Sequence, residues 1–453
     1  MITVLFGRLR AVHPNHKRIA SGAVRIGLLV LAAKLFVAAR EIAIAWRYGI
    51  SEVVDAYQLS LTITTWLPMM LVGVMTVVLV PRFVQTQSTD RRMFIAELNG
   101  SVLLLGLALG ALTWLAAPAA ADLLADDSDV VRLTKAMAAQ MAPIALLIIP
   151  AGYLSARMQA RERYGYSVTE ALQALVVSLF VLAPLGLGVT QLLVLGTLFG
   201  YFLQLLLLGA MTHQADPPLG NLEFQHRSAE WRSLYGSLLL MGVGQVLITA
   251  ALPIDQSFAT RLGEGAVATL GYANRIIILV TGLATVVIGR ALLPIFSAAA
   301  ASGAIEVGRR QALQWAVLLF AAGGLSASLL WWLAPDIVRF LFQRGAFGEQ
   351  ATADVATAVR YGLLQLPPYC GGIVLVQWYA ATGRFRSMFT MNAAALLVKI
   401  ALNAALAPSY GLAGIMISTA GMYVSTSAAM AVGLASWNRR RTGQGDVERS
   451  DPN

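Results

Sequence analysis

Two stretches of this sequence put ionisable side chains where apolar residues dominate. "KLFVAAREIA" carries Lys34, Arg40 and Glu41, and "LGYANRIIILVTGLATVVIGRALLPIFS" carries Arg275 and Arg290. Arg25 lies ahead of the first group, and Arg360 and Lys399 sit in later apolar runs. An ionised side chain facing lipid at mid-depth costs at least about 2.5 kcal/mol. These groups must therefore face protein, a wet cavity or the interface. Arg25 and Arg290 are placed to snorkel toward the cytoplasmic interface. Lys34, Arg40 and Arg275 are assigned to a cavity, with structural ion pairs as the competing reading. Lys34 and Glu41 are seven positions apart and share a helical face within about 20°. Arg40 is one step away from Glu41, so the expected arrangement turns Arg40 toward the cavity and Glu41 toward a neighbouring helix. The cavity residues are mainly cationic. A cation pore would prefer carboxylates, whereas guanidinium forks suit phosphate oxygens. A lipid diphosphate headgroup and a small anion both meet that requirement.

No constellation argues for catalysis, a metal or a cofactor. There is no glycine-rich phosphate loop ending in Lys-Ser/Thr. His13, His16, His213 and His226 are read as solvated residues outside the helices. The single cysteine, Cys370, excludes an intrachain disulfide and a cysteine metal cluster. Asp122, Asp126, Asp127 and Asp129 read as a solvated acidic loop, because the EF-hand pattern is absent.

The elements that must carry these charges are long apolar helices. The chain has 453 residues, of which 58% are hydrophobic and 12% charged. Apolar runs of about 20 residues recur along its length, which is the transmembrane signature, and short alternating β-barrel segments are missing. The expected fold is an all-α polytopic membrane protein of two six-helix bundles around a central cavity. Helices are expected near 19–46, 56–81, 93–118, 136–156, 167–187, 190–212, 233–254, 266–297, 312–334, 355–382, 388–407 and 411–436. The net charge of +10 fits basic loops at one membrane face better than nucleic-acid binding. The N-terminal arm and alternate loops carry Arg82, Arg91, Arg92, Arg157, Arg161, Arg163, Arg227, Arg232, Arg309, Arg310, Arg384 and Arg386, and the tail carries "NRRR". The opposite loops hold only Arg47, Arg132, Lys135, Arg261, Arg339 and Arg344. Both termini are therefore expected in the cytoplasm. The organisation expected is a basic arm (1–18), a first half (19–212), a polar cytoplasmic linker (213–232), a second half (233–437) and a tail (438–453). "GVMTVVLVPRF" from Gly73 and "GLATVVIGRALLPIF" from Gly282 form a weak internal echo of the kind parallel repeats leave. Pro68, Pro143, Pro150, Pro253 and Pro367–Pro368 are expected to bend or interrupt helices.

A compact turn, "LFQRGAF", spans Leu341 to Phe347 between two apolar runs. Gly345 permits a tight bend, Phe347 can bury, and Arg344 stays near the outer interface. The motif reads as a structural hinge, with direct gating as the alternative.

Three regions together resemble the MviN/MurJ group of lipid-linked precursor flippases, within the superfamily that also holds polysaccharide exporters and multidrug extruders. "KLFVAAREIAIAWRYGISEVVDAY" resembles the family's first-helix pattern, with Lys34 and Arg40 at its arginines, Glu41 at its acidic position and Asp55 at its later aspartate. "LGYANRIIILVTGLATVVIGRALLPIFS" is similar to the tyrosine-alanine-x-arginine helix, with Asn274 and Arg275 in place, and "LFQRGAF" resembles a third motif. The resemblance implies an alternating-access flippase of the bacterial inner membrane, no enzyme and no cofactor. Its cargo would be a polyprenyl-diphosphate-linked saccharide held by Lys34, Arg40 and Arg275. Glu41, Asp55 and Asn274 would support the cavity, and Arg344, Gly345 and Phe347 would form a hinge or gate. Its partners would be membrane lipids and polysaccharide or cell-wall assembly proteins. This sequence shows twelve helices where the lipid II type usually has fourteen, and it lacks the family's second-helix arginines. Both departures open the cargo to a peptidoglycan precursor or an exported-polysaccharide unit. An exporter of small organic anions or drugs and a non-transport scaffold in envelope assembly are the rival functions.

Overall fold

The computed structural model describes residues 35–445 apart from 86–87, 126, 162, 164, 185, 216–220 and 229. Lys34, Arg25, the 1–18 arm and the side chain of Arg290 lie outside what is described. Among the described residues there are helices and turns and no strand. In order they are α1 (35–48), α2 (Glu52–Gln85), α3 (Ser88–Leu124), α4 (Ser128–Met141), α5 (Ile144–Ala160), α6 (Tyr166–Leu182) and α7 (Val189–Ala215). Then follow α8 (Glu230–Thr249), α9 (Ala251–Ala259), α10 (Ala266–Ala301), α11 (Ile305–Phe342), α12 (Glu349–Leu363), α13 (Leu366–Ala381) and α14 (Phe385–Gly445). Several, such as Glu52–Phe83 and Ile305–Phe342, are long and apolar enough to cross a bilayer. The protein is an all-α, multi-pass membrane protein.

The prolines divide into two groups. Pro143 separates α4 from α5 at a bend of 51°. Pro367 and Pro368 follow the break between α12 and α13. Pro253 deprives the Thr249 carbonyl of its usual donor, the chain turns at Ala250 between α8 and α9, and the Trp66 indole donates to that carbonyl at 3.1 Å. Pro68 and Pro150, by contrast, lie inside uninterrupted helices. The single span expected over 355–382 is thus two helices, and so is that over 136–156. α14 reverses at Gly411, whose φ of 57° is left-handed. Leu406 lies against Gly414, Leu402 against Gly421, and Lys399 bonds Thr419, so its two arms run antiparallel. His213 falls in the last turn of α7 and not outside the helices, because that helix continues past its apolar run.

By their contacts the residues form two compact units. The first takes Leu67–Leu115, Gln140–Leu239 and the described part of Met1–Ile44. The second takes Ala45–Trp66, Ala116–Ala139 and Leu240–Asn453. Stretches 45–66 and 116–139, early in the chain, therefore pack within the unit that holds 240–453. In the second unit, α11 buries a stripe of small residues: Gly308, Ala312, Ala316, Gly323, Ala327 and Ala334. Gly323 approaches the Leu366 backbone of α13. Small residues let membrane helices close on each other, where lipid removes the hydrophobic drive. The opposite face of α11 exposes Leu325, Leu329, Trp332 and Phe340, as a lipid-facing surface requires.

In the first unit, Phe83, Phe94, Leu98, Tyr153 and Trp231 share one core. Its polar anchor is Glu97, fully buried on α3. One carboxylate oxygen accepts from the Arg227 and Ser228 amides at 2.7 and 3.0 Å. The other accepts from the Ser228 hydroxyl at 2.5 Å and the Trp231 indole at 2.7 Å. His226 stacks on Trp231 with centroids 3.8 Å apart and bonds Ser101 and Tyr235 through its two ring nitrogens. The end of the polar linker is thereby tied to α3. Glu97→Ala leaves four donors without their acceptor, three of them in buried contacts, each costing about 1 kcal/mol or more. Thermal unfolding in detergent should show a loss of about 3 kcal/mol or more, against about 1 kcal/mol for Ser228→Ala; equal effects would contradict Glu97 as the anchor.

Candidate functional site

In the first unit, α1 carries Arg40 and Glu41, 7% and 5% exposed. They do not point to separate partners as expected. Arg40 Nη2 donates to Glu41 Oε1 at 2.6 Å, and Nη1 donates to Gln173 Oε1 of α6 at 3.3 Å. Successive helical positions diverge by about 100°, but the long arginine stem folds back across that angle. Burial makes the pairing necessary, since either charge alone and away from water would be left uncompensated.

In the second unit the motif residues converge. Asp55, 2% exposed near the start of α2, accepts the Gly265 amide at Oδ2 and the Ala268 amide at Oδ1, both at 2.6 Å. These amides open α10, so a carboxylate from an early helix closes the N-terminus of the helix that bears Arg275. An anion there satisfies otherwise unpaired amides and matches the helix dipole. Beside it, Tyr272 donates to the Gly49 carbonyl at 3.1 Å. The Tyr272 ring meets Phe342 and Phe347 at 5.2 and 5.5 Å. The Ala346 amide donates to the Trp46 carbonyl at 2.9 Å. Gly345 has φ 60°, and a Cβ there would collide with the Trp46 carbonyl. Arg344 stays exposed, donating to Phe340 O at 2.8 Å and lying over the Phe340 ring. The "LFQRGAF" turn is thus clasped to 46–49.

Arg275 is exposed on α10, and Asn274 beside it is half-buried. Arg275 lies about 14 Å along its helix, at 1.5 Å per residue. Arg40 and Arg275 belong to different units. Two features escaped the sequence reading. Gln173 is one, an amide in an apolar run. Asp255 of α9 is the other: Lys399 donates to its carboxylate, with Nζ 2.7 Å from Oδ1 and 2.9 Å from Oδ2. A lone carboxylate in "ALPIDQSFA" was the signal available.

The sequence signature described as "Lipid II flippase MurJ" matches residues 44–445. The chain belongs to this family. A Synechocystis relative named a probable lipid II flippase MurJ is 28% identical over 464 residues, covering 95% of this chain and 83% of the relative. A Bdellovibrio bacteriovorus protein of the same name is 29% identical over 228 residues, which is 49% of this chain and 42% of that protein. The match to the latter therefore spans less than half its length. A lipid II flippase MurJ solved in an inward closed conformation shares the fold at a TM-score of 0.80 and 17% identity, over 91% of this chain and 87% of that one. The signature begins after Lys34, Arg40 and Glu41, whereas the Synechocystis match, at 95% of this chain, takes in those three positions.

The clasp gives a direct test. Gly345→Ala meets both an unfavourable left-handed backbone, costing about 1–2 kcal/mol, and the Trp46 carbonyl. Its thermal stability should fall by about 2 kcal/mol or more, whereas Gly348→Ala, with open space around its Cβ position, should stay within about 1 kcal/mol.

Proposed function

We propose that this chain is a flippase that carries a polyprenyl-diphosphate-linked saccharide, a peptidoglycan precursor or an exported-polysaccharide unit, from the inner to the outer leaflet. The observation that carries this reading is Arg275, an exposed residue well inside an apolar helix of a membrane protein. Such a group cannot be left against hydrocarbon; a water-filled chamber is the environment that keeps it both exposed and solvated. A guanidinium there offers a planar fork to diphosphate oxygens. Membership of the lipid II flippase family supports the same cargo class.

In this mechanism Arg275 grips the diphosphate, with Lys34 and Arg40 as further cationic partners and Asn274 as a hydrogen-bonding neighbour. Glu41 holds Arg40 until the phosphate competes for it. The polyprenyl tail stays in the bilayer while two six-helix halves rock around the headgroup. Asp55 on the α10 amides and the Arg344–Phe347 turn on 46–49 act as a clasp that opens on one side of the cycle. Both termini lie in the cytoplasm of a bacterial inner membrane, on the side with the excess of arginine. The protein works beside membrane lipids and polysaccharide or cell-wall assembly proteins, and it performs no chemistry on the cargo.

The test is reconstitution in liposomes with labelled lipid-linked oligosaccharides of several headgroups, reading headgroup access on each leaflet. Wild-type protein should move at least one of them. Arg275→Ala should lower that flux by about tenfold or more with thermal stability unchanged, because a charge-assisted hydrogen bond contributes about 1.5–3 kcal/mol. Arg275→Lys should retain an intermediate rate. A folded wild type that moves none, or soluble anions in their place, overturns the reading.

A further inference from the structure

The apolar span of α10 runs from Ala266 to Thr285 and carries a second exposed polar residue besides Arg275. That residue is Thr285. It lies seven positions after Ile278, which is also exposed, so the two share a helical face within about 20°. Thr285 is about 15 Å along the helix from Arg275, at 1.5 Å per residue. Its hydroxyl is 2.6 Å from that of Tyr369 on α13, in an exposed contact.

The break before α13 sets Tyr369 in place. Pro367 and Pro368 lie in the first turn of that helix, and the Tyr369 amide donates to the Gln365 carbonyl at 2.9 Å. The Ser427 hydroxyl, from the second arm of α14, donates to the Pro368 carbonyl at 2.8 Å. Gly372 makes room for it, since a Cβ there would collide with the Ser427 hydroxyl. One turn before Ser427, Tyr423 meets the Tyr369 ring edge-on at 5.0 Å. The Tyr369 side chain is thus packed along its ring and reaches α10 with its hydroxyl.

The protons of the hydroxyl pair can be assigned. Each hydroxyl carries one donor and two accepting lone pairs. Thr285 donates its proton to the Thr281 carbonyl of its own helix, at 2.9 Å. Thr285 can then only accept from Tyr369, so the Tyr369 proton is used as well. Among the described residues no group donates to the Tyr369 oxygen. The pair therefore offers lone pairs and no free proton. Phosphate and carboxylate oxygens need donors, which a guanidinium supplies and this pair does not. A saccharide brings hydroxyl hydrogens of its own.

We propose that Tyr369 and Thr285 form a second subsite, which binds the saccharide of the cargo by accepting hydrogen bonds from its hydroxyl groups. The proposal rests on the flippase reading, with Arg275 at the diphosphate. A separation of about 15 Å exceeds one sugar ring, so the contact falls beyond the first sugar. Hydroxyls between membrane helices also act as glue. The two roles differ in what they change: a tie between helices affects every cargo alike, whereas a saccharide contact affects cargo whose sugars reach it.

The test uses the full chain in liposomes and two labelled probes below saturation, a polyprenyl diphosphate carrying one sugar and the same carrier with an oligosaccharide. Headgroup access is read on each leaflet. Tyr369→Phe keeps the ring against Tyr423 and removes the accepting oxygen. It should lower the ratio of oligosaccharide to single-sugar flux about threefold or more, the worth of one neutral hydrogen bond. Thr285→Val removes the acceptor that fixes the Tyr369 proton and should shift the ratio the same way. That variant decides the matter if Tyr369→Phe does not fold. Arg275→Ala should lower both fluxes together. A folded Tyr369→Phe that slows both probes equally, or neither, overturns the subsite and leaves the flippase reading standing. A wild type that moves neither probe removes both.

Discussion

A charge inside hydrocarbon must be given a partner or water, and this fold is organised around that constraint. Glu97 accepts from four donors of one short segment. Asp55 is spent on the first amides of α10. Arg40 and Glu41 answer each other, and Lys399 answers Asp255. In each case the polar group fixes a position that apolar packing leaves free, because lipid-like side chains slide past one another at little cost. Arg275 holds an exposed position in a spanning helix, and the proposed function starts from that position.

The same constraint is met in two different ways. Glu97 binds the linker end to α3 through backbone amides that a substitution elsewhere cannot replace. The clasp of Asp55, Tyr272 and the Gly345 turn is built differently, from a carboxylate at a helix end and one carbonyl per contact. Helix-end contacts of this kind are strong when closed, and water satisfies them when open. A conformational cycle needs that property.

The fold was largely legible because the apolar runs are long and the breaks carry prolines. The sequence placed a helix at every described span and separated 388–407 from 411–436, between which the chain reverses at Gly411. It overextended two of them: the runs at 136–156 and 355–382 are apolar on average, and mean hydropathy does not register a bend. Proline was an incomplete guide, since Pro68 and Pro150 stay helical while Pro253 breaks its helix with Trp66 taking the freed carbonyl. The site was less legible. Residue types singled out Arg40, Glu41, Asp55 and Arg275, but pairing depends on contacts between distant segments. Arg40 with Glu41 was excluded by helical angle alone, although side-chain length decides it. Asp255 went unremarked, and the partner of Lys399 with it, because one carboxylate does little to the mean of an apolar run.

The central claim is that the Arg275 face of α10 borders water and not lipid. Ile278 lies one turn from Arg275 and is 54% exposed, while Leu325 of α11 is 76% exposed on the face assigned to lipid. A cysteine at each position, with Cys370 replaced by alanine, allows the rate of modification by a charged, membrane-impermeant thiol reagent to be compared in intact liposomes. The account predicts that Ile278→Cys reacts from at least one aqueous side at a rate well above Leu325→Cys. Equal inertness at the two positions, in folded protein, would contradict it.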